Sequence, residues 1–144
     1  MSFTYFDTAH AIMVHDEIII RSGGALGILD IGLLDSVIEH VQNDLYYPEL
    51  EHKLTHLFYS INKNHSFQDG NKRASIVLSA YFLEINNCSF RMERFVIEME
   101  NVAVDVADNR IDKDLLFEII NSIIYEDDYS EELKLKIIYA KGFL

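Results

Sequence analysis

Cysteine, proline and tryptophan are nearly missing from this chain of 144 residues. Cys88 and Pro48 are the single members of their types, tryptophan does not occur, and there are six glycines. A lone cysteine excludes an internal disulfide, which is typical of proteins kept in a reducing compartment. So little proline and glycine argues against a loop-rich or low-complexity chain. We therefore expect a cytoplasmic protein built mainly of regular secondary structure.

Positive charge is also scarce, because 12 lysines and arginines face 24 aspartates and glutamates, which gives a net charge of −12. Direct binding to nucleic acid requires clustered cations and is not expected. The apolar runs are shorter than the roughly 20 residues of a membrane helix. The N-terminus also lacks the basic region and apolar segment of a secretory signal. We expect no contact with a membrane, and partners that are proteins.

Apolar residues make up 49% of the chain and recur at helical spacing along most of its length. Caps such as Asp30 and Asp112 precede several of these stretches, whereas residues 88–91 suggest an extended segment. No internal repeat or linker divides the chain. The sequence predicts one all-α domain over residues 1–144, a bundle of about six helices around a buried helix at 71–86. The other predicted helices cover 8–21, 31–41, 50–64, 92–107 and 113–125, with a final amphipathic stretch at 131–140.

A polar segment at residues 65–73, His-Ser-Phe-Gln-Asp-Gly-Asn-Lys-Arg, opens directly into an apolar run. This order predicts a buried helix whose N-terminus is exposed, with Asp69 or Gly70 at its start. Free N–H groups and the positive end of the helix dipole make such an end an anion site. Gly70 allows close approach of a ligand, and Lys72 and Arg73 add charged donors. The segment therefore predicts a site for the phosphates of a nucleotide.

The same segment resembles the signature of the Fic/Doc (death-on-curing) family, which reads His-x-Phe-x-Asp/Glu-Gly-Asn-Gly-Arg-x-x-Arg in the Fic branch. Lys72 replaces the second glycine of that signature and Ile76 its last arginine, and both differences resemble the Doc branch. The resemblance extends upstream into the region around His15 and covers roughly residues 8–87. The matching residues are His65, Phe67, Asp69, Gly70, Asn71 and Arg73 in the motif, and His15, Asp16, Gly23, Gly24, Gly27 and Asp30 upstream.

Chemistry and resemblance together assign a role to each motif residue. His65 is the expected general base, since imidazole can accept a proton from an attacking hydroxyl near neutral pH. Asp69 is the expected Mg²⁺ ligand, although it is also a candidate helix cap. Phe67 is expected to anchor the loop on the core. Catalytic stabilisation and phosphate binding are expected from Gly70, Asn71, Lys72 and Arg73, with Asn71 either bonding a phosphate oxygen or fixing the loop.

The resemblance leaves two enzymatic reactions and one inert alternative open. The Doc branch implies a toxin kinase that moves the γ-phosphoryl group of ATP to a hydroxyl of a target protein, possibly elongation factor Tu. The Fic branch implies transfer of AMP instead, and a lysine at position 72 should crowd that pose. A nucleotide-binding module without catalysis is the third alternative. The expected co-substrate and ion are ATP and Mg²⁺, and the expected partners are the target protein and an antitoxin.

Two further segments have a family interpretation and an ordinary one. Tyr46 and Tyr47 stand where we expect the flap that aligns the target protein, or else an interhelical loop packed on the core. Residues 122–126 match the letters of an inhibitory helix, Ser/Thr-x-x-x-Glu, found in some Fic proteins. That pattern is short enough to occur by chance.

Four histidines outside the motif have spacings that suggest a metal. His10, His15 and Asp16 could belong to a metal phosphohydrolase of the HD type, but a second ligand cluster is lacking, so we expect His15 and Asp16 at the surface or as a cap. His52 and His56 share one helix face like a zinc pair, but Lys53 replaces the glutamate of a metalloprotease. We expect both of these histidines to face solvent or the polar part of the core.

Overall fold

Seven α-helices and one short 3₁₀ turn make up the structure, a computed structural model that describes residues 2–143. The helices are α1 (Thr8–Ser22), α2 (Ile31–His40), α3 (Leu50–Asn64), α4 (Asn71–Ile85), α5 (Met92–Ala107), α6 (Lys113–Tyr125) and α7 (Glu131–Ala140). The predicted all-α class is confirmed. The amphipathic stretch predicted at 131–140 is the seventh helix, and it packs on α6.

Side-chain caps start several helices where the sequence predicts them. Asp30 accepts a hydrogen bond from the N–H of Leu33 at 3.1 Å, and Asp112 accepts one from Leu115 at 2.8 Å. Each such bond satisfies an N–H group that has no partner within its own helix. At the other end of α1, Gly23 adopts a φ of 88° and its N–H reaches the carbonyl of Ile19 at 2.8 Å. The local signals therefore account for where these helices begin and end.

The expectation of an extended segment at 88–91 is wrong. The chain turns after α4 with Asn87 at a φ of 65°, and a 3₁₀ turn, Ser89–Arg91, leads directly into α5. The N–H of Cys88 still bonds the carbonyl of Leu83 at 2.9 Å, which closes the end of α4. Cys88 is half-buried, and burial raises the pKa of its thiol. The thiol therefore stays protonated and unreactive near neutral pH.

Helices α3 and α4 form the centre of the bundle and carry the motif between them. α3 packs against α2, α4, α5 and α6, and α4 packs against α1, α3 and α5. Their inner faces contain fully buried residues such as Phe58, Leu78 and Phe82. Burial of this kind is worth about 1.5–3 kcal/mol for each large apolar side chain. The motif loop is thus held between the two best-anchored helices of the bundle.

Between residues 2 and 143, no helix combines the length and apolar character needed to cross a bilayer.

A buried histidine in α3 should make the fold sensitive to acid. His56 is 6% exposed, stacks on Tyr47 at 4.3 Å and lies 3.3 Å from the carbonyl oxygen of Val37. Burial, assisted by the charge of Lys113, lowers the pKa of His56 to about 4. In the unfolded chain this imidazole becomes protonated below its usual pKa near 6.5, whereas in the folded protein it stays neutral until the pH is much lower. The free energy of unfolding should therefore be highest above about pH 6.5 and should fall as the pH drops from about 6.5 towards 4.

We expect unfolding free energy to fall by about 2 kcal/mol between pH 7.5 and 5 because of this histidine. Urea titrations of wild type and His56→Gln at several pH values measure the effect. The variant should be less stable at neutral pH, since it loses the stack on Tyr47, but its stability should depend less on pH. Equal pH slopes in the two proteins would show that another group is responsible.

Candidate functional site

The loop that joins α3 to α4 carries the base predicted from the sequence. α3 ends at His65, which caps it in the left-handed conformation with φ 51° and ψ 47°. This turn directs the chain away from the helix axis and leaves the imidazole exposed. Two residues later Phe67 is fully buried in the core. The expected anchoring role of Phe67 is confirmed, and His65 lies at the surface beside an anchored loop.

Asn71 closes this loop from inside. Its side-chain oxygen accepts the N–H of Phe67 at 3.2 Å, and its side-chain nitrogen donates to the carbonyl of Phe67 at 3.0 Å. A side-chain amide that pairs with both groups of one residue fixes that part of the backbone. Of the two roles left open for Asn71, its contacts support the one that shapes the loop.

The N-terminus of α4 is open towards solvent. Gly70 is its cap, in a left-handed conformation with φ 76°, and makes no side-chain capping bond. Lys72 in the first turn is exposed, and the side chain of Arg73 is 37% exposed. Uncapped N–H groups and two cations at one helix end form an anion site. Phosphate binding at this end of α4 stays a prediction.

Residues 23–30, between α1 and α2, run alongside the motif loop. Ile28 and Phe67 form an antiparallel bridge, and the N–H of Leu29 bonds the carbonyl of Ser66 at 2.8 Å. Farther along, the N–H of Gln68 bonds the carbonyl of Gly27 at 3.0 Å. From the sequence, Gly23, Gly24 and Gly27 were assigned only to the family pattern. Three glycines within five residues between two predicted helices were the available signal that this segment lies close to another part of the backbone.

Gly24 makes the closest approach in this wall. A Cβ atom added to it would lie 2.6 Å from Oδ2 of Asp69 and 3.1 Å from a guanidinium nitrogen of Arg73. Arg73 also donates to the carbonyl of Gly23 at 2.7 Å and to the hydroxyl of Ser22 at 2.5 Å. The end of α1 therefore orients the arginine. The side chain of Arg73 is still 37% exposed after these contacts.

Asp69 is an ionised carboxylate at the mouth of the site. Two backbone hydrogen bonds lower the pKa of this carboxyl. The larger effect comes from the N–H of Ala25, 3.1 Å from Oδ2, and the next from the N–H of Gly70, 2.7 Å from Oδ1. Arg73, with a guanidinium nitrogen 3.9 Å from Oδ1, acts in the same direction. Asp69 does not cap α4, so its role as a cap no longer competes with ion binding.

The donor set at the mouth fits Mg²⁺ held together with a nucleotide. Mg²⁺ commonly uses one or two carboxylates and completes its shell with phosphate oxygens and water. Asp69 supplies one exposed carboxylate, each oxygen of which keeps a lone pair after accepting its backbone N–H. Within residues 2–143, no group of three or more histidine, cysteine or acidic side chains could hold a metal by itself. An ion here would therefore depend on the bound phosphates.

The expectation that His15 lies at the surface or acts as a cap is wrong. His15 is fully buried on α1, and its ring stacks on Phe67 with centroids 3.8 Å apart and planes at 3°. Its Nε2 atom is 2.6 Å from the carbonyl oxygen of Asp69, and Nδ1 is 3.4 Å from Oδ1 of Asp16. His15 therefore contacts the motif loop from the side of α1. The described residues contain no cluster of ligands that would support the HD phosphohydrolase alternative.

The structure does not bring the two predicted flap tyrosines to the motif. Tyr47 stacks on His56, nine residues before His65 and so about 14 Å from it along α3. Tyr46 is 74% exposed in the same loop. The segment that does line the motif is 23–30. The flap assignment rested on the family resemblance, and the contact of Tyr47 with His56 fits the ordinary alternative, an interhelical loop packed on the core.

The possible inhibitory pattern at 122–126 also lies at the wrong end of α3. The hydroxyl of Tyr125 donates to Glu51 at 2.7 Å, in the first turn of α3. His65 caps the other end, fourteen residues and about 21 Å away. Ser122 is buried, and the carbonyl of Glu126 accepts a bond from Arg94 at 2.5 Å. The pattern is part of the core packing of α6.

The pair of histidines in α3 has the structural role expected of it. His52 uses Nδ1 to accept the N–H of Glu49 at 3.3 Å, which helps to start α3. His56 is buried beside α2. Neither belongs to a group of three potential ligands within the described residues. The zinc alternative therefore has no support.

Comparison with known proteins agrees with this geometry. The sequence profile of the Fic/DOC family matches residues 5–83, which include α1, the segment 23–30, the motif loop and most of α4. The chain is also similar to a protein named Toxin Doc from Mycolicibacterium smegmatis. The two are 34% identical over 99 residues, which cover 66% of this chain and 76% of that protein. The exposed histidine before an open helix N-terminus and these two matches lead to one conclusion: the chain belongs to the Fic/DOC family.

Proposed function

We propose that this chain is a Doc-type toxin that phosphorylates a hydroxyl group of a target protein, with ATP as the phosphoryl donor. The observation that carries the proposal is one anchored loop with an exposed imidazole, His65, at its start and the open N-terminus of α4, with the exposed cation Lys72, at its end. The similarity to a protein named Toxin Doc supports the toxin role. Elongation factor Tu is the proposed target, and the family resemblance is its only support.

Each residue of the loop has a part in the proposed transfer. The oxygen of the target hydroxyl attacks the γ-phosphorus, and the bond from that phosphorus to the bridging oxygen of ADP breaks. His65 accepts the proton of the attacking hydroxyl. Lys72, Arg73 and the first N–H groups of α4 offset the charge on the phosphate oxygens during transfer. Mg²⁺ held by Asp69 and the phosphates would neutralise further charge.

The identity of two side chains favours γ-phosphoryl transfer over AMP transfer. Lys72 is exposed at the helix mouth, where the Fic signature has a glycine that leaves room for the phosphates. Ile76 is half-buried against the core, so α4 lacks the second arginine of that signature one turn further on. A lysine side chain in place of that glycine and a missing cation both disfavour a pose with the α-phosphorus beside His65. The other pose places the γ-phosphorus there.

Parallel incubations of the protein and a cell extract with γ-labelled and α-labelled ATP test the proposal. We expect a labelled protein band with the γ label and none with the α label. Label from α-labelled ATP would identify an AMP transferase and contradict the kinase. No label with either, together with measurable ATP binding, would identify an inert nucleotide-binding module.

A small antitoxin is the proposed regulatory partner, as the name of the similar protein suggests. The pattern at 122–126 lies too far from the motif to inhibit it within this chain. Restraint of the toxin would therefore come from a separate protein.

A further inference from the structure

We infer that His15 is a positioning residue, which holds the peptide bond between Asp69 and Gly70 so that the first turn of α4 stays open to phosphate. The effect on catalysis rests on the proposed function. The effect on the backbone does not, because it concerns the loop before any ligand binds.

The central contact has a defined direction. Nε2 of His15 lies 2.6 Å from the carbonyl oxygen of Asp69. A carbonyl oxygen only accepts hydrogen bonds, so Nε2 carries a hydrogen and donates it. The ring is fully buried, so water cannot replace this donor if it is removed. The carbonyl of Asp69 would then lose this partner, at a cost of about one hydrogen bond.

The peptide bond after Asp69 needs a contact of this kind. Gly70 adopts a left-handed conformation with φ 76°, and glycine populates positive and negative φ about equally well. Nothing in the residue itself prevents this peptide from rotating. A Cβ atom at Gly70 would lie 3.5 Å from Nε2 of His15, which shows how directly the imidazole faces this peptide. Rotation would change the direction of the backbone where α4 begins.

The imidazole is itself held in place. Its ring lies parallel to Phe67, with centroids 3.8 Å apart and planes at 3°, and Phe67 is fully buried. Nδ1 lies 3.4 Å from Oδ1 of Asp16 on the other side of the ring. Because α1 carries both His15 and the Ser22 hydroxyl that binds Arg73, one helix orients two parts of the phosphate site.

Two substitutions separate the hydrogen bond from the packing. His15→Phe keeps an aromatic ring on Phe67 but has no donor, whereas His15→Gln can place an amide N–H close to the position of Nε2. In His15→Phe we expect amide exchange at Gly70 and Ala74 in the unliganded protein to become about tenfold faster, because about one hydrogen bond is lost. The N–H of Gly70 bonds Oδ1 of Asp69 and the N–H of Ala74 bonds the carbonyl of Gly70, so both lose protection when this peptide rotates. The dissociation constant for Mg-ATP should increase by about the same factor. His15→Gln should restore most of both values.

His10→Phe is the matched control, since it makes the same substitution on the same helix. His10 stacks on Tyr81 at 4.6 Å, and its Nε2 has no hydrogen-bond partner within the described residues. Exchange and ATP affinity should not change in this variant. If His15→Phe does not fold, His15→Asn replaces it, because the shorter amide cannot reach the carbonyl of Asp69.

The results separate this inference from the proposed function. If His15→Phe shows wild-type exchange at Gly70 and Ala74, the inference is wrong, whatever the activity. If exchange and Mg-ATP affinity change as expected but wild type transfers no γ label, His15 positions the loop and the proposed kinase activity is wrong. If wild type does not bind Mg-ATP, the exchange measurement alone decides the inference.

Discussion

His65→Ala is expected to reduce γ-phosphoryl transfer by about 10²–10⁴-fold while leaving the fold unchanged. A positioned general base typically contributes an acceleration of this size. His65 is exposed, so its removal creates no cavity. Because the phosphates would bind to α4 rather than to the imidazole, the dissociation constant for Mg-ATP should change little. The measurement is initial-rate transfer of γ label to the target protein, with ATP affinity and thermal melting determined on the same samples.

His40→Ala is the matched control for this experiment. His40 is also an exposed histidine near the end of a helix, but it lies near His56 in another part of the bundle. Its replacement should leave transfer unchanged. A His65→Ala protein that keeps more than about a tenth of wild-type transfer would contradict the assignment of the base, since general-base catalysis is worth more than that.

Lys53→Ala is expected to lower the free energy of unfolding by about 3 kcal/mol, through loss of a buried stem and of its hydrogen bonds. Lys53 is fully buried on α3. Its Nζ donates to the carbonyl of Val41 at 2.9 Å and to Asp44 at 2.8 Å, and lies 5.0 Å from the ring centroid of Phe3. The substitution leaves a cavity and an unpaired buried carbonyl. Urea denaturation followed by circular dichroism measures the loss.

Lys53→Met tests how the cost divides between packing and charge. Methionine fills most of the volume of the stem, and Asp44 is 71% exposed in its side chain, so water can solvate the carboxylate left behind. The loss in this variant should be less than half of that in Lys53→Ala. Lys134, which forms two ion pairs at the surface, is the control, because exposed pairs contribute little. Equal losses in Lys53→Ala and Lys53→Met would show that the ammonium group dominates.

Local signals in the sequence were sufficient for the helices and for the motif. Asp30 and Asp112 cap helices because a side-chain oxygen needs only an N–H three residues away, a relation visible in the sequence. The motif at 65–73 was placed at a helix start because polar residues precede an apolar run. Both inferences depend on contacts within one turn or one loop.

The contacts that the sequence did not reveal join residues far apart in the chain. His15 lies 54 positions before the carbonyl that it binds. Its place four residues from both Ala11 and Ile19 indicates a buried position on α1, but it does not reveal the partner. The pairing of Leu29 with Ser66 involves backbone groups, which every residue has, so no residue type marks it. Tyr46 and Tyr47 were misplaced because α3 separates its two ends by about 22 Å. Tertiary packing decided all three cases.

The left-handed backbone at His65 has a consequence for how this family member can change over time. For a residue with a Cβ atom that conformation costs about 1–2 kcal/mol of conformational free energy, whereas glycine adopts it freely and asparagine adopts it more easily than most residues. Selection for thermostability, without selection for activity, should therefore tend to replace the histidine at this position. A descendant that has lost its target should carry glycine or asparagine at this position, and it should melt at a higher temperature than its active ancestor.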